Sequence, residues 1–488
     1  MNGPPEDKGT EPGGDAGLRM SPEEMRALGY RAIDALVERW STLPEEPGWV
    51  GGTRAEIDAR LGPPASAPET PRSADAVLDD AIDRILPNAA RIDHPRFFAF
   101  IPSAPTWSAV IGDLLATGFN VFQGTWLASS GPSRIELEVT DWFREWLQMP
   151  EGAGGVLTSG GSVANLMAVA MARELAGNPP DPVVYLSDQG HSSLRRGARI
   201  AGIPPEGIRV LETGPSLRLD PEGLREAVLA DRAAGRTPIL ACANGGATNS
   251  GQVDLLGPLA AVTRQVGIRF HVDAAYGGFA ALDPRGAEAL AGIGEADTVT
   301  LDPHKWLFQP FECGGLMARD ADELHRVFGE RADYLQDTEL GSEQVNFGDR
   351  GVQLSRRFRA LKVWMTVQTH GLAAIREGVA HGITLAERAE ARIRSAERLE
   401  LLFPASLGIV LYRYRAPQGV DADRLNREIQ EAIVQGGYAM VSSTRIEGVY
   451  ALRLCILNPR TRWADVDGVL ERVERLGDTL VADAMEAS

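Results

Sequence analysis

The sequence predicts an α/β protein: a mostly parallel sheet covered by helices on both faces, followed by a smaller α+β domain. Between residues 154 and 319, short apolar runs alternate with amphipathic stretches. After a long helix near 358–369, the remaining chain alternates helices with further apolar strands. With 488 residues, 44% hydrophobic and 24% charged, the chain also has material for more than one core.

Residues 1–18 are rich in Gly, Pro and acids and carry no basic stretch leading into an apolar one. Residues 1–20 therefore read as a disordered leader and not as a signal peptide. Ser21-Pro22-Glu23-Glu24 is a capping box with proline at the first helical position, and Met25, Leu28, Ile33, Leu36, Val37 and Trp40 recur at helical spacing. A Pro-rich linker at 62–71 precedes another helix at 75–85. Residues 21–88 thus form an N-terminal helical segment, too small and too apolar on one face to stand alone. It is expected to pack on the body of the protein or on a partner subunit. Candidate strands follow at 183–186, 208–211, 238–243, 268–272, 298–301 and 315–318, with helices at 163–176, 221–234 and 256–266. The large domain is expected over 89–370 and the small one over 371–488, the latter with strands at 408–414 and 450–456.

Acids outnumber bases 67 to 49, a net charge of −18, which repels nucleic acid and anionic lipid. No apolar stretch approaches the ~18 residues of a membrane span. Cys242, Cys313 and Cys455 stand far apart, as expected of reduced thiols in a cytoplasmic protein, and no metal site is expected. The bases are themselves uneven. Only Lys8, Lys305 and Lys362 are lysine; the other 46 are arginine.

In an α/β sheet, functional groups gather beyond the carboxyl ends of strands. Here those ends deliver Asp273 and Ala275, His304 and Lys305, Thr248 and Asn249, and Asp188, His191 and Ser192. Lysine forms imines with carbonyls; arginine, always protonated, does not. Lys8 lies in the leader, and Lys362 reads as a helix-surface salt bridge. Lys305, before Trp306-Leu307-Phe308, sits where apolar neighbours favour the neutral amine. An imine-forming lysine points to pyridoxal phosphate, which needs a carboxylate against its ring nitrogen and a cradle for its phosphate. Asp273 can supply the first. Gly160-Gly161-Ser162, leading straight into a helix, offers backbone N–H groups for the second, so an acidic chain holds a dianion without a basic patch. His191 is placed to stack on the ring or relay protons. His94 and His271 read as structural.

These residues resemble the group II pyridoxal phosphate-dependent decarboxylases, the family of aromatic L-amino acid, histidine and glutamate decarboxylases. The matching segments are 94–98, 158–165, 188–193, 271–277, 302–306 and 356–362, in order, and the aromatic amino acid branch is nearest. The resemblance implies a fold type I homodimer with a seven-stranded sheet and active sites shared between subunits. It further implies that Lys305 holds the cofactor as an imine and Asp273 pairs with the ring nitrogen. Ala275 and His191 would cover the two ring faces, Gly161, Ser162 and His304 would bind or flank the phosphate, and Thr248 would lie near the cofactor hydroxyl. Ser103 matches a position that touches the substrate carboxylate. Phe100 and Ile101, with Phe122 and Gly124 of the partner subunit, match the substrate pocket. Ser355 matches a position where serine accompanies phenolic substrates, although it can equally cap the helix that follows. Tyrosine, dihydroxyphenylalanine, phenylalanine and tryptophan all fit.

One residue departs from the pattern. In the aromatic branch a mobile loop before the Arg-Arg-Phe segment commonly carries a tyrosine that serves protonation of the substrate carbon. The matching residue here is Phe347. In relatives this replacement accompanies an oxygen-dependent outcome that yields aldehyde, ammonia and peroxide. Tyr334 or a histidine is the alternative proton source. The expected reaction is decarboxylation to the amine, with the aldehyde route as the alternative.

Overall fold

The computed structural model describes residues 18–102, 104–330 and 344–486. Nearly all of the expected leader falls outside them, as do Ser103 and Tyr334. The chain divides into two compact units, Met1–Arg91 and Ile92–Ser488.

The first unit contains α1 (Pro22–Thr42), α2 (Arg54–Leu61) and α3 (Ala74–Asp79). The expected capping box is present: Ser21 accepts from the Glu24 N–H, and the Glu24 carboxylate accepts from the Ser21 N–H at 2.7 Å. Thr53 and Glu56 repeat the device at α2. None of these helices buries a residue, and Met25, Tyr30 and Val37 lie exposed on α1.

The second unit opens with α4 (Trp107–Gly118) and α5 (Trp126–Trp146), then β1 (Gly154–Thr158), α6 (Gly161–Leu175), β2 (Pro182–Ser187), α7 (Ser192–Ile200) and β3 (Ile208–Leu211). It continues through α8 (Pro221–Ala233), β4 (Thr237–Asn244), α9 (Leu256–Val266), β5 (Arg269–Asp273), α10 (Pro284–Ala289), β6 (Thr298–Leu301), β7 (Gly314–Ala318) and α11 (Asp322–Phe328). These strands form one sheet in the order β1-β7-β6-β5-β4-β2-β3, parallel except where β7 runs against both neighbours. β4, β5 and β6 are buried on both faces, and so read as continuous apolar runs. β1 is not legible as such a run because Gly154-Gly155 mimics a turn. Glycine is needed there: a Cβ on Gly155 would lie 2.8 Å from the Leu316 carbonyl oxygen across the β1–β7 pair.

Next comes α12 (Ala360–Ser395), whose first limb is the expected helix; it bends at Gly371 (φ 72°) and runs on. β8 (Leu399–Ser406), β9 (Ile409–Tyr414), α13 (Ala422–Gln435), β10 (Ser442–Ile446), β11 (Val449–Cys455) and α14 (Trp463–Glu486) complete the chain. The four strands make an antiparallel sheet, β10-β11-β9-β8. It is tied to the large sheet at the strand ends. Arg453 donates to the carbonyls of Thr248 (2.6 Å), Asn249 (3.1 Å) and Phe100 (2.6 Å), and the Gly408 N–H donates to the Tyr276 hydroxyl (2.8 Å).

Lys362 corrects the expectation of a surface salt bridge. Its side chain is 1% exposed, lies 3.2 Å from Asp113 and donates to the Pro310 carbonyl at 3.1 Å. The first turn of α12 packs against α4, so an ammonium placed there must find partners inside.

Candidate active site

The carboxyl ends of the parallel strands open into a cleft of about 350 Å³. β5 ends on Asp273, whose Oδ1 accepts from the Ala275 N–H at 3.2 Å and whose Oδ2 accepts from Asn165 Nδ2 at 2.8 Å. The turn after β6 carries Asp302, His304 and Lys305. Lys305 Nζ lies 2.9 Å from Asp302 Oδ2, an ammonium–carboxylate pair at the cleft floor. His304 Nδ1 accepts from the Cys313 N–H at 3.1 Å, which leaves the neutral ring's proton on Nε2. Burial holds the imidazoles of both His191 and His304 below their ordinary pKa.

β1 delivers Gly160 to the opposite wall, where α6 begins without a side-chain cap. Its first-turn N–H groups are therefore open to an anion. The wall has no room for side chains: a Cβ on Gly161 would lie 2.9 Å from Asp302 Oδ2, and one on Gly314 would lie 2.4 Å from the Gly160 Cα. Ser162, His191 and Thr248 complete the lining, so all eight residues expected to bind the cofactor meet in this one cleft.

Pyridoxal phosphate fits this set. The uncapped helix and the glycine wall suit a phosphate, Lys305 suits the aldehyde, and a carboxylate held by two N–H donors suits a protonated ring nitrogen.

Of the residues expected to contact substrate, Phe100, Ile101, Phe122, Gly124 and Ser355 do not line the cleft of their own chain. Phe100 is 63% exposed, with φ +51°, and Phe122 is partly exposed over Gly124. Ser355 is exposed and is not the helix cap, because α12 starts at Ala360 with Arg359 at its cap position. Phe347 also departs from expectation. It opens a short 3-10 turn and is 0% exposed, clustered with Val156, Met167 and Leu316 and 5.1 Å from the Arg356 guanidinium. A ring without a hydroxyl is best buried, and here it packs into its own chain instead of riding a free loop. Phe122, Gly124, Phe347 and Ser355 nevertheless share one region. The Gly348 N–H donates to the Gly124 carbonyl (2.7 Å), and the Gln123 N–H donates to the Arg356 carbonyl (3.1 Å).

Sequence reasoning missed Asn165, Asp302, Asn244 and Phe311 as lining residues. Asn165 had a signal. It is a lone amide among Ala164, Met167 and Ala168 on the buried face of α6, one turn beyond Gly161.

A lysine, a carboxylate and an anion-binding helix end set on these strands define a pyridoxal phosphate enzyme. Residues 58–415 match the pyridoxal-dependent decarboxylase conserved domain, and the chain belongs to that family of amino acid decarboxylases. It is 37% identical to an aromatic-L-amino-acid decarboxylase of Bacillus atrophaeus over 467 residues, covering 94% of this chain and 97% of that protein. It is 32% identical to a phenylacetaldehyde synthase of Arabidopsis thaliana, over 91% of this chain and 93% of that one. Among solved structures, Oryza sativa TDC with PLP and tryptamine superposes with a TM-score of 0.89 at 29% identity, covering 95% of this chain and 99% of that one. No helix among the described residues is long and apolar enough to cross a membrane.

Proposed function

We propose that this enzyme decarboxylates an aromatic L-amino acid of the tyrosine, dihydroxyphenylalanine, phenylalanine and tryptophan group, releasing the amine and carbon dioxide. The observation that carries the reading is the convergence of Lys305, Asp302 and Asp273 in one cleft with Phe311 half exposed in its lining. An aromatic wall beside the reacting groups favours a substrate with an apolar ring. The relatives named above support the same substrate group.

Lys305 would hold the cofactor as an imine, with Gly161, Ser162 and the start of α6 on the phosphate beside His304. His191 and Ala275 would bracket the ring, Thr248 would sit near its hydroxyl, and Asp273 would keep the ring nitrogen protonated. Bound pyridoxal phosphate supplies the electron sink for the pair left when the bond between carbon and carboxylate breaks. Asp302, 2.9 Å from Lys305 Nζ, would hold that amine in place in the cleft whenever it is free. The net reaction consumes one proton at the substrate carbon. His191 lines the cleft and carries a ring N–H able to serve it. A homodimer would complete each cleft, with Phe122 and Gly124 serving the site across the interface.

Phe347 favours a second reading, because a buried phenyl ring offers no proton. In that route amino acid, oxygen and water give aldehyde, carbon dioxide, ammonia and hydrogen peroxide, in equal amounts. Incubating each candidate amino acid with wild type and Phe347→Tyr, and measuring amine and peroxide, separates the two. Amine without peroxide from wild type supports decarboxylation; peroxide matching aldehyde overturns it. Lys305→Ala is expected to lose the borohydride-reducible visible absorbance, and its persistence would overturn the site.

A further inference from the structure

Asn165 is 1% exposed, and its hydrogen bonds leave one orientation for its amide. Its Oδ1 lies 3.0 Å from His271 Nε2 and accepts from the Thr300 hydroxyl at 2.7 Å. Its Nδ2 donates to Asp273 Oδ2 at 2.8 Å and to Ser193 Oγ at 2.9 Å. Ser193 Oγ is therefore an acceptor on that side, and its own hydrogen turns to His191 Nδ1, 2.7 Å away. The Ser193 N–H donates to the same nitrogen at 3.3 Å. With two donors on Nδ1, neutral His191 carries its proton on Nε2.

We propose that Asn165 is a positioning residue that couples the two cofactor-facing groups: one amide holds the Asp273 carboxylate and, through Ser193, sets the tautomer of His191. The two hydrogens of a single NH₂ go to the two arms, so neither arm moves without the other. The orientation is enforced from behind by His271, which donates from Nε2 and accepts at Nδ1 from the Thr298 hydroxyl (2.9 Å). The neutral form this requires is the one burial favours, with the His271 pKa near 4. Lining roles alone would not demand this arrangement. A hydrophobic residue at position 165 would fill the volume but leave Asp273 Oδ2, the Ser193 hydroxyl and His271 Nε2 without it as a partner.

The inference rests on the reading of Asp273 and His191 as cofactor-facing groups, and its test separates the two. Asn165→Asp keeps the shape and the acceptor toward His271 and Thr300 but replaces both donors with a second carboxylate oxygen. Ser193→Ala removes the hydroxyl that links Asn165 to His191 and leaves His191 Nδ1 only the longer backbone N–H donor. Pyridoxal phosphate is titrated into each apoprotein, and the ring ¹⁵N shifts of His191, assigned by comparison with His191→Gln, report the tautomer. Asn165→Asp is expected to bind pyridoxal phosphate about tenfold to a hundredfold more weakly than wild type, the loss that goes with a hydrogen bond to a charged group. Ser193→Ala is expected to bind within about threefold of wild type yet show His191 as a mixture of tautomers. Unchanged affinity in folded Asn165→Asp overturns the proposal, as do unchanged His191 shifts in Ser193→Ala. The second result decides the matter if Asn165→Asp does not fold. Wild-type apoprotein that fails to bind pyridoxal phosphate refutes the site itself, a different outcome from either.

Discussion

His271 spends its imidazole on structure, and this makes stability depend on pH. Burial takes its pKa from the ordinary 6.5 to about 4, so between those values the unfolded chain binds a proton that the folded chain refuses. Its stability contribution is intact above pH 6.5 and is lost as pH falls toward 4, by about 3 kcal/mol in all. Urea unfolding of wild type and His271→Gln across that range is expected to show the shallower slope in the variant. At this scale much of the site was legible in the sequence. Lys305 stood out because lysine is otherwise nearly absent, and Asp273 because a strand ended on it. Asn165 showed in the sequence only as a lone amide on an apolar helix face, and its role comes from α7, β5 and β6 converging on that amide. The burial of Phe347 was not legible, since it depends on the Val156–Met167 wall that packs over it.

Between elements, a buried ion pair joins α5, β1 and the segment before α12. Arg356 Nη2 lies 2.5 Å from Glu136 Oε1 with both side chains at most 2% exposed. The guanidinium also donates to the carbonyls of Leu157 (2.7 Å) and Gln123 (3.1 Å), while the Leu157 N–H donates to Glu136 at 2.8 Å. Removing one member strands a buried charge, so Arg356→Leu is expected to cost about 3–5 kcal/mol in urea unfolding. Glu136→Gln keeps an acceptor for the Leu157 N–H and should cost less. A variant of Arg356 that unfolds at the wild-type midpoint would contradict this account. The strands of the large sheet were legible because burial on both faces leaves continuous apolar runs. β1 and the second limb of α12 were not, because glycine at 154, 155 and 371 reads as a chain break while serving close packing or a bend.

Across the whole molecule, apolar surface is left uncovered in places that suit a second copy. Leu114, Leu115 and Phe119, the last 80% exposed, lie on or next to α4, close in sequence to Phe122. For the proposed homodimer, Phe119→Glu is expected to shift the sedimentation velocity toward monomer and to weaken activity in proportion; an unchanged dimer would exclude this face. The distribution of amines has a different consequence. Among the described residues, Lys305 sits in the cleft, Lys362 is sealed against Asp113, and no lysine is exposed. Pyridoxal phosphate is a reactive aldehyde, and so is the product of the oxygen-dependent route. Most proteins would scatter such carbonyls over many surface amines. An arginine-clad surface forms no such imines, so over residues 18–102, 104–330 and 344–486 excess aldehyde has a single place to attach. The same use of arginine for lysine that marks the active amine also keeps the rest of the described surface from competing for the cofactor.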